Sequence, residues 1–372
     1  MGLSNANKFR CSMVCYRNSL ILLLLLTYAV STFASIRYYE YKGYVLGMHR
    51  EIEIMEKYNT CVACDITFHT RRAETWDFNR IICNADEFYA PGLHVFMGLF
   101  YRILRVDINL AYILFSNLIA VVLIPLAIYA LAGIYLSEGR RILAVIFYLF
   151  CTRLPLLFVG WGTVAHALGI FFSIISIKYM YDYLTKHRKK DYYNVILTTM
   201  LVVLSHQGAG TYHLGLFLAF LILAKKYKTI LILVGIVIVL SLIYPAYIQR
   251  PLSYVGAGVF DARYGIWGIT KRLVFKDWVM WIHPIIALWF FYGIPHGWGR
   301  GDKLFWLALI APILLFWSDL NGRSVMHSIP LACIIAARGF RWPHRHKILF
   351  AVVLGVGMLI QLRGALVFGI AK

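Results

Sequence analysis

The sequence predicts an all-α integral membrane protein with about eleven spanning helices and a large first external loop. Three observations predict it. Only 15% of the 372 residues are charged and 61% are hydrophobic, with a mean hydropathy of +0.70; a soluble chain of this size keeps roughly a quarter of its residues charged. Apolar runs such as 19–36, 109–135 and 229–248 reach the roughly 20 residues a bilayer crossing needs. Backbone groups inside hydrocarbon must be satisfied within the segment, which makes such runs helices. The number of long runs argues against one large soluble core.

The charge supplies the third observation. A net charge of +20 first suggests nucleic acid, but the basic residues form no compact patch. They gather in short clusters between apolar runs: Arg140-Arg141, KHRKK (186–190), KKYK (225–228) and RWPHRHK (341–347). Loops on the cytoplasmic side carry this excess, and anionic lipid adds attraction there. Nucleic acid is therefore not expected, and anionic membrane lipid is.

The first run, 19–36, follows Lys8, Arg10 and Arg17. It resembles a signal peptide with a cut after Ala34, but it is longer than a usual signal core. We read it as a retained anchor that leaves the N-terminus in the cytoplasm of a plasma-membrane protein. MGLSNA has no Ser or Thr at position six, which argues against myristoylation. Further spans are expected near 108–136, 142–160, 163–184, 193–208, 211–225, 229–248, 278–294, 303–318, 324–340 and 347–366. This order places every basic cluster on the cytoplasmic side, including 294–303. Residues 1–366 then form one membrane domain. Two segments lie outside: 37–107, with ten of the seventeen acidic residues, and the basic, aromatic 249–277.

In the first loop, DITFHTRRAE places His69 and Arg72 four and seven residues after Asp65. On a helix that spacing puts a carboxylate, an imidazole and a guanidinium on one face. Such a face can hold a base, its proton partner and a phosphate clamp; the alternative is an ordinary solvated face. Downstream, NADEFYAPGLH (84–94) sets Asp86 and Glu87 ahead of a Pro-Gly break. These acids either cap the helix that begins at Pro91 or hold a divalent ion with substrate phosphates. Residues 91–104 are too few to span comfortably and end in Arg102 and Arg105, which predicts a helix lying in the interface.

Seven cysteines divide by place. Cys11 and Cys15 precede the first span, where palmitoylation is one reading. Cys151 and Cys333 lie within spans as small apolar residues. Cys61, Cys64 and Cys83 share the first loop and admit a disulfide, a zinc site with His69, or free thiols.

Asp-x-x-Phe-His-x-x-Arg (65–72) followed by Glu-Phe-Tyr-x-Pro-Gly-x-His (87–94) resembles the first external loop of the GT-C superfamily. These polytopic glycosyltransferases use polyprenyl-phosphate-linked sugars. SHQGAGT (205–211) resembles their mid-chain histidine break, and DLNGRSVMHSIPLACIIAARGF (319–340) their late Pro-containing span. Ala90 stands where the family has the first proline of its turn, and Asp86-Glu87 is a second counterpart for its acidic position.

The resemblance implies transfer of a sugar, with inversion, from a polyprenyl-phosphate donor to a glycan, lipid or protein acceptor at the external face. It implies Asp65 as general base or metal ligand, with Glu87 or Asp86 as second acid and Mg or Mn as the ion, held by Asp65 and Glu87. His69, Arg72, Tyr89, His94 and His206 would line the substrate, and Arg323 would take the lipid phosphate. On pattern alone, His94, His166, His213 and His283 also read as packed histidines on apolar faces. A transporter or flippase of lipid-linked or anionic solutes is the competing class; it would carry charge in broken helices at mid-membrane and show paired halves.

Overall fold

A computed structural model describes residues 2–41, 63–76, 91–155, 163–243 and 323–340, with single positions at 158, 289, 290, 293, 306 and 355. Every regular element among the described residues is helical. In chain order they are α1 (Gly2–Tyr41), α2 (Ala63–Glu74), α3 (Gly92–Leu104), α4 (Ile108–Ala132), α5 (Glu138–Cys151), α6 (Val164–Lys186), α7 (Lys189–Ser205), α8 (Gln207–Leu223), α9 (Tyr227–Ile243) and α10 (Arg323–Gly339).

Three stretches are long and apolar enough to cross a membrane: Tyr16–Ile36 within α1, Ile108–Ala132 and Val164–Lys186. At 1.5 Å per residue each covers roughly 30 Å or more, the thickness of the hydrocarbon core. The 193–208 and 211–225 segments are the shorter helices α7 and α8, and 324–340 is α10. The predicted 142–160 span is cut short: α5 stops at Cys151, and Thr152 turns extended at φ −122°, ψ 154°. Pro155 fits the stop, because it has no N–H for the Cys151 carbonyl; the chain is non-helical at 152–153 and helical again at Leu154 and Pro155. Segments 249–277, 278–294, 303–318 and 347–366 lie wholly or almost wholly outside the described residues.

The first span is built into the bundle. Tyr28 donates its hydroxyl to the Leu114 carbonyl at 3.3 Å, and Ser31 Oγ donates to Asn117 Oδ1 at 2.5 Å. The Asn117 amide donates to Ser35 Oγ at 3.3 Å and to the Ile113 carbonyl at 2.9 Å. Side-chain hydrogen bonds between helices are the polar glue available where no hydrophobic force separates lipid from protein. Directly after Asn117, α4 widens into a π-helical stretch, Leu118–Leu123, with the Ile124 N–H reaching the Ile119 carbonyl. Pro125 supplies no N–H, and the wider turn absorbs that gap.

Glycines let backbones meet. A Cβ on Gly210 would lie 3.0 Å from the Cα of Val203. In a continuous helix residues seven apart sit about 10 Å apart along the axis, so the chain reverses at His206 and α7–α8 is a tight hairpin. A Cβ on Gly169 of α6 would lie 2.6 Å from Ala209 Cβ, which seats the hairpin against α6.

The bundle has two chemically different ends. At one, Asp182 bridges Lys178 and Lys186 at 2.7 and 2.6 Å, Arg188 pairs with Asp191 at 2.7 Å, and Arg140 donates to the Arg338 carbonyl at 3.1 Å. Along α6 and α10, His166 and His327 lie about 24 and 17 Å from Asp182 and Arg338 respectively. The buried histidines His166 and His327 therefore mark the opposite end.

Candidate active site

The site grows from α2. Its sequence is helical as the Asp65–His69–Arg72 spacing predicts, and it buries His69, Thr70, Ala73 and the following Trp76 while Arg71 and Glu74 face out. Residues 69, 73 and 76 repeat at three and four, one stripe of a helix. Asp65 is one turn earlier in the same register; its side chain lies outside the described residues. Arg72 is half-buried beside the stripe.

Next comes the Pro-Gly turn. Pro91 opens α3 in a helical conformation, and α3 buries Gly92, Leu93, His94 and Met97 against the protein while Leu99, Ile103 and Leu104 stay exposed. The exposed side of α3 is apolar, with Arg102 in its last turn. Gly92 packs on the last turn of α7, where a Cβ would meet the Leu204 carbonyl oxygen at 2.5 Å. This close approach joins the turn motif to the histidine break at 205–211.

The outcome is a buried pair: His69 Nδ1 and His94 Nε2 lie 2.9 Å apart. Both rings are at most 1% exposed. Trp76 stands beside His94 with ring centroids 6.1 Å apart. Burial holds His69 well below the usual imidazole value of 6.5, with His94 and His206 as further neighbours. Burial likewise brings His94 to about 4, and the Arg72 guanidinium adds to it. Desolvation disfavours the charged imidazole, as does a nearby cation. At neutral pH the pair is uncharged and shares one N–H···N bond.

His206 carries the cluster inward. Its Nδ1 accepts the Ala209 N–H at 3.2 Å and so caps α8; that leaves Nε2 as the protonated nitrogen. Its ring lies 4.6 Å from that of His166, which lies 4.7 Å from His327. Tyr212 closes the row at 4.5 Å from His327. Deeper in the bundle, His213 contacts Ser173 Oγ at 2.9 Å and Thr199 Oγ1 at 3.5 Å.

Of the predicted residues, His69, Arg72, His94 and His206 come together. Arg323 is the first residue of α10, one turn before His327, with its side chain outside the described residues. Asp86, Glu87, Tyr89, Cys61, Cys83 and His283 lie outside them altogether, and Cys64 has only its backbone described. His166 reads from the sequence as a packed histidine and is packed, but against two other histidines. His327 carries no sequence signal except its place one turn after Arg323. Among the described residues, no three His, Cys, Asp or Glu side chains gather so as to hold a metal ion. Compared with family models and with curated proteins, the chain matches none.

Proposed function

We propose that the protein is a membrane glycosyltransferase that moves a sugar from a polyprenyl-phosphate donor to an acceptor at the external face. One observation carries the reading. Asp65 and Arg323, distant in the sequence, each precede by one helical turn a histidine of the same buried cluster, His69 and His327. The roles then divide by chemistry. Asp65 is the base that takes the acceptor hydroxyl proton. Asp65 and Glu87 are the residues that would hold a divalent ion, which would neutralise phosphate charge, with Asp86 as the neighbouring acid. Arg323 offers a two-pronged donor to the leaving lipid phosphate. His69, Arg72, Tyr89, His94 and His206 line the substrate side. An eleven-span arrangement with 37–107 outside keeps this chemistry at the surface that a lipid phosphate cannot leave.

The test is sugar transfer by the full chain in vesicles supplied with a panel of polyprenyl-phosphate sugars. Transfer from at least one donor is expected; transfer from none sinks the reading. A second reading, a transporter of lipid-linked or anionic solutes, is favoured by the helix break at His206, a feature of transport sites. Movement of the intact lipid-linked sugar across the vesicle without cleavage of its glycosidic bond would favour that class instead.

A further inference from the structure

The fold puts its basic clusters to different uses. Arg141 is engaged inside the protein, donating to the Leu136 and Gly133 carbonyls at 3.0 and 3.3 Å and pairing with Glu138 at 3.1 Å. Its neighbour Arg140 donates to the Arg338 carbonyl. Clusters 186–190 and 225–228 turn outward instead, and they come together. Helices α7 and α8 have 17 residues each and fold back at His206, so the start of α7 returns to the level where α8 ends. Tyr183, near the end of α6, ties the two loops. Lys226 Nζ lies over its ring at 6.0 Å, and the ring of Tyr192 on α7 packs beside it at 5.4 Å. Lys186, Arg188, Lys189, Lys190, Lys225 and Lys228 are exposed there.

Both carboxylates of this patch are already paired. Asp182 is held between Lys178 and Lys186, and Asp191 by Arg188. Residues 178–191 and 225–228 carry eight Lys and Arg against these two acids, six positive charges in excess. The other segments that the order of basic loops puts on this side are 1–18, 294–303 and 341–347. They add eight more Lys and Arg and a single acid, Asp302. One further acid cannot neutralise the excess.

Away from the lysines the exposed side changes in a fixed order. On α7, Lys189 is followed at four-residue steps by Tyr193 and Leu197, all exposed. On α9, Tyr227 and Lys228 are followed by exposed Leu231, Val234 and Ile238. Residues four apart share a helix face and stand about 6 Å apart along its axis. Cation, tyrosine and aliphatic side chain thus succeed one another within about 12 Å. A bilayer leaflet has the same order: charged headgroups, the interfacial level where tyrosine sits, then hydrocarbon.

We propose that the two loops form a binding site for anionic phospholipid headgroups of the leaflet at this end of the bundle. The site is independent of sugar transfer and needs only that these helices lie in a bilayer. Beside a leaflet, a lysine ammonium pairs with lipid phosphate while its stem lies along apolar surface. A soluble polyanion would satisfy the charges but leave Leu197, Leu231 and Ile238 in water. A leaflet satisfies both.

The test is binding of fluorescently labelled phosphatidylglycerol to the purified full chain in neutral detergent micelles. Unlabelled dioleoyl phosphatidylglycerol, dioleoyl phosphatidylcholine and glycerol phosphate serve as competitors. Phosphatidylglycerol should compete at least about tenfold better than phosphatidylcholine, and the preference should shrink as salt screens the lysines. Lys189→Gln, Lys190→Gln, Lys225→Gln and Lys228→Gln together should remove most of it, whereas the same four changed to Arg should keep it. Arg71→Gln, at the other end of the bundle, should leave it unchanged. Equal competition by the two lipids overturns the site, as does a preference that survives in the folded glutamine variant. A preference insensitive to salt overturns it too, and that measurement needs no variant. Competition by glycerol phosphate equal to that of the lipid would put free phosphate in its place. Depth is read in nanodiscs, from spin labels in a background lacking the other cysteines. A label at Leu231→Cys should be reached by oxygen, and one at Lys190→Cys by a water-soluble nickel chelate. A Leu231 label in water would overturn the leaflet as occupant and give the patch to a soluble acidic protein or nucleic acid.

Discussion

Gly92 meets Leu204 backbone to backbone: a Cβ on Gly92 would stand 2.5 Å from the Leu204 carbonyl oxygen and 2.8 Å from its carbon. That approach holds the start of α3 against the end of α7, where His206 follows directly. A backbone carbonyl at a helix end cannot swing aside as a side-chain tip does. Gly92→Ala should therefore force the two helices apart and cost about 1–3 kcal/mol, the usual range for overpacking. The check is thermal melting of the purified protein, followed by loss of its monodisperse chromatographic peak. A melting temperature equal to that of the unmutated protein would show that the α3–α7 contact yields easily.

Acid should loosen the same region. His69 and His94 are held below the usual value of 6.5, His94 at about 4, chiefly by burial. Their folded-state values are depressed, so an unfolded chain binds protons that the folded one refuses once pH drops below about 6.5. The stability these groups contribute is full above that value and is lost as pH falls toward 4. Each histidine lowers the folding constant by up to about tenfold per pH unit in that window. Melting near pH 5 should occur well below melting near pH 7.5, and His94→Gln should reduce the difference. An acid sensitivity that His94→Gln leaves intact would assign the effect to other groups.

How much of this was legible beforehand follows from what each signal depends on. Long apolar runs need only composition, so α1, α4 and α6 emerge where the sequence predicts them. The α2 face was legible because Asp65, His69 and Arg72 are four and seven residues apart, a purely local spacing. The end of α5 was available in Pro155, but hydropathy alone carries the run past it to 160. The cluster was not legible as a cluster. His166 looks like any histidine on an apolar face, and His327 is hidden in an apolar helix. Their meeting with His206 depends on the Gly210–Val203 reversal and the Gly169–Ala209 seat, both tertiary contacts. No periodicity encodes those.

Orientation is the next prediction. Basic clusters at Arg140-Arg141, 186–190 and 225–228 lie at the end of the bundle away from the buried cluster of His166, His206 and His327, and basic loops stay in the cytoplasm. The histidine end, with α2 and α3, should face outside. Single cysteines placed at Arg71 and Glu74, both exposed on α2, should react with an impermeant thiol reagent in intact cells of a background lacking the other cysteines. A cysteine replacing Lys190 should react only after permeabilisation. The opposite pattern would invert the topology and remove the external-face chemistry with it.

Arg323 separates structural from ligand-binding roles. As the first residue of α10, one turn before His327, it is placed where a leaving phosphate would lie in the proposed reaction. A guanidinium grips a phosphate with two parallel bonds, whereas an ammonium is a point charge. Arg323→Lys should therefore weaken donor binding by about tenfold or more, on the order of 1.5–3 kcal/mol for a charge-assisted hydrogen bond, with little change in melting temperature. Donor affinity unchanged in the lysine variant would make Arg323 a helix-end residue only.

The acids decide the chemistry itself. Asp65 stands one helical turn before His69 on α2, and His69 belongs to a buried imidazole pair. A general base contributes on the order of a hundred- to ten-thousand-fold to rate. Asp65→Asn preserves size and most hydrogen bonding, so the protein should fold while sugar transfer falls by that factor. Glu87→Gln should fall similarly if it holds a divalent ion, with part of the loss recovered at raised metal concentration. Asp86→Asn should leave transfer near normal if that residue only caps the helix at Pro91, with about 1 kcal/mol of stability lost. Near-normal transfer by Asp65→Asn together with failure of Asp86→Asn would move the base into the 84–94 segment. That segment is tethered to the same cluster through His94, so the cluster would keep its place while the proton changed its acceptor. Normal transfer by all three variants would leave the external face without a base, and the transporter reading would then account better for a buried histidine row beside a broken helix.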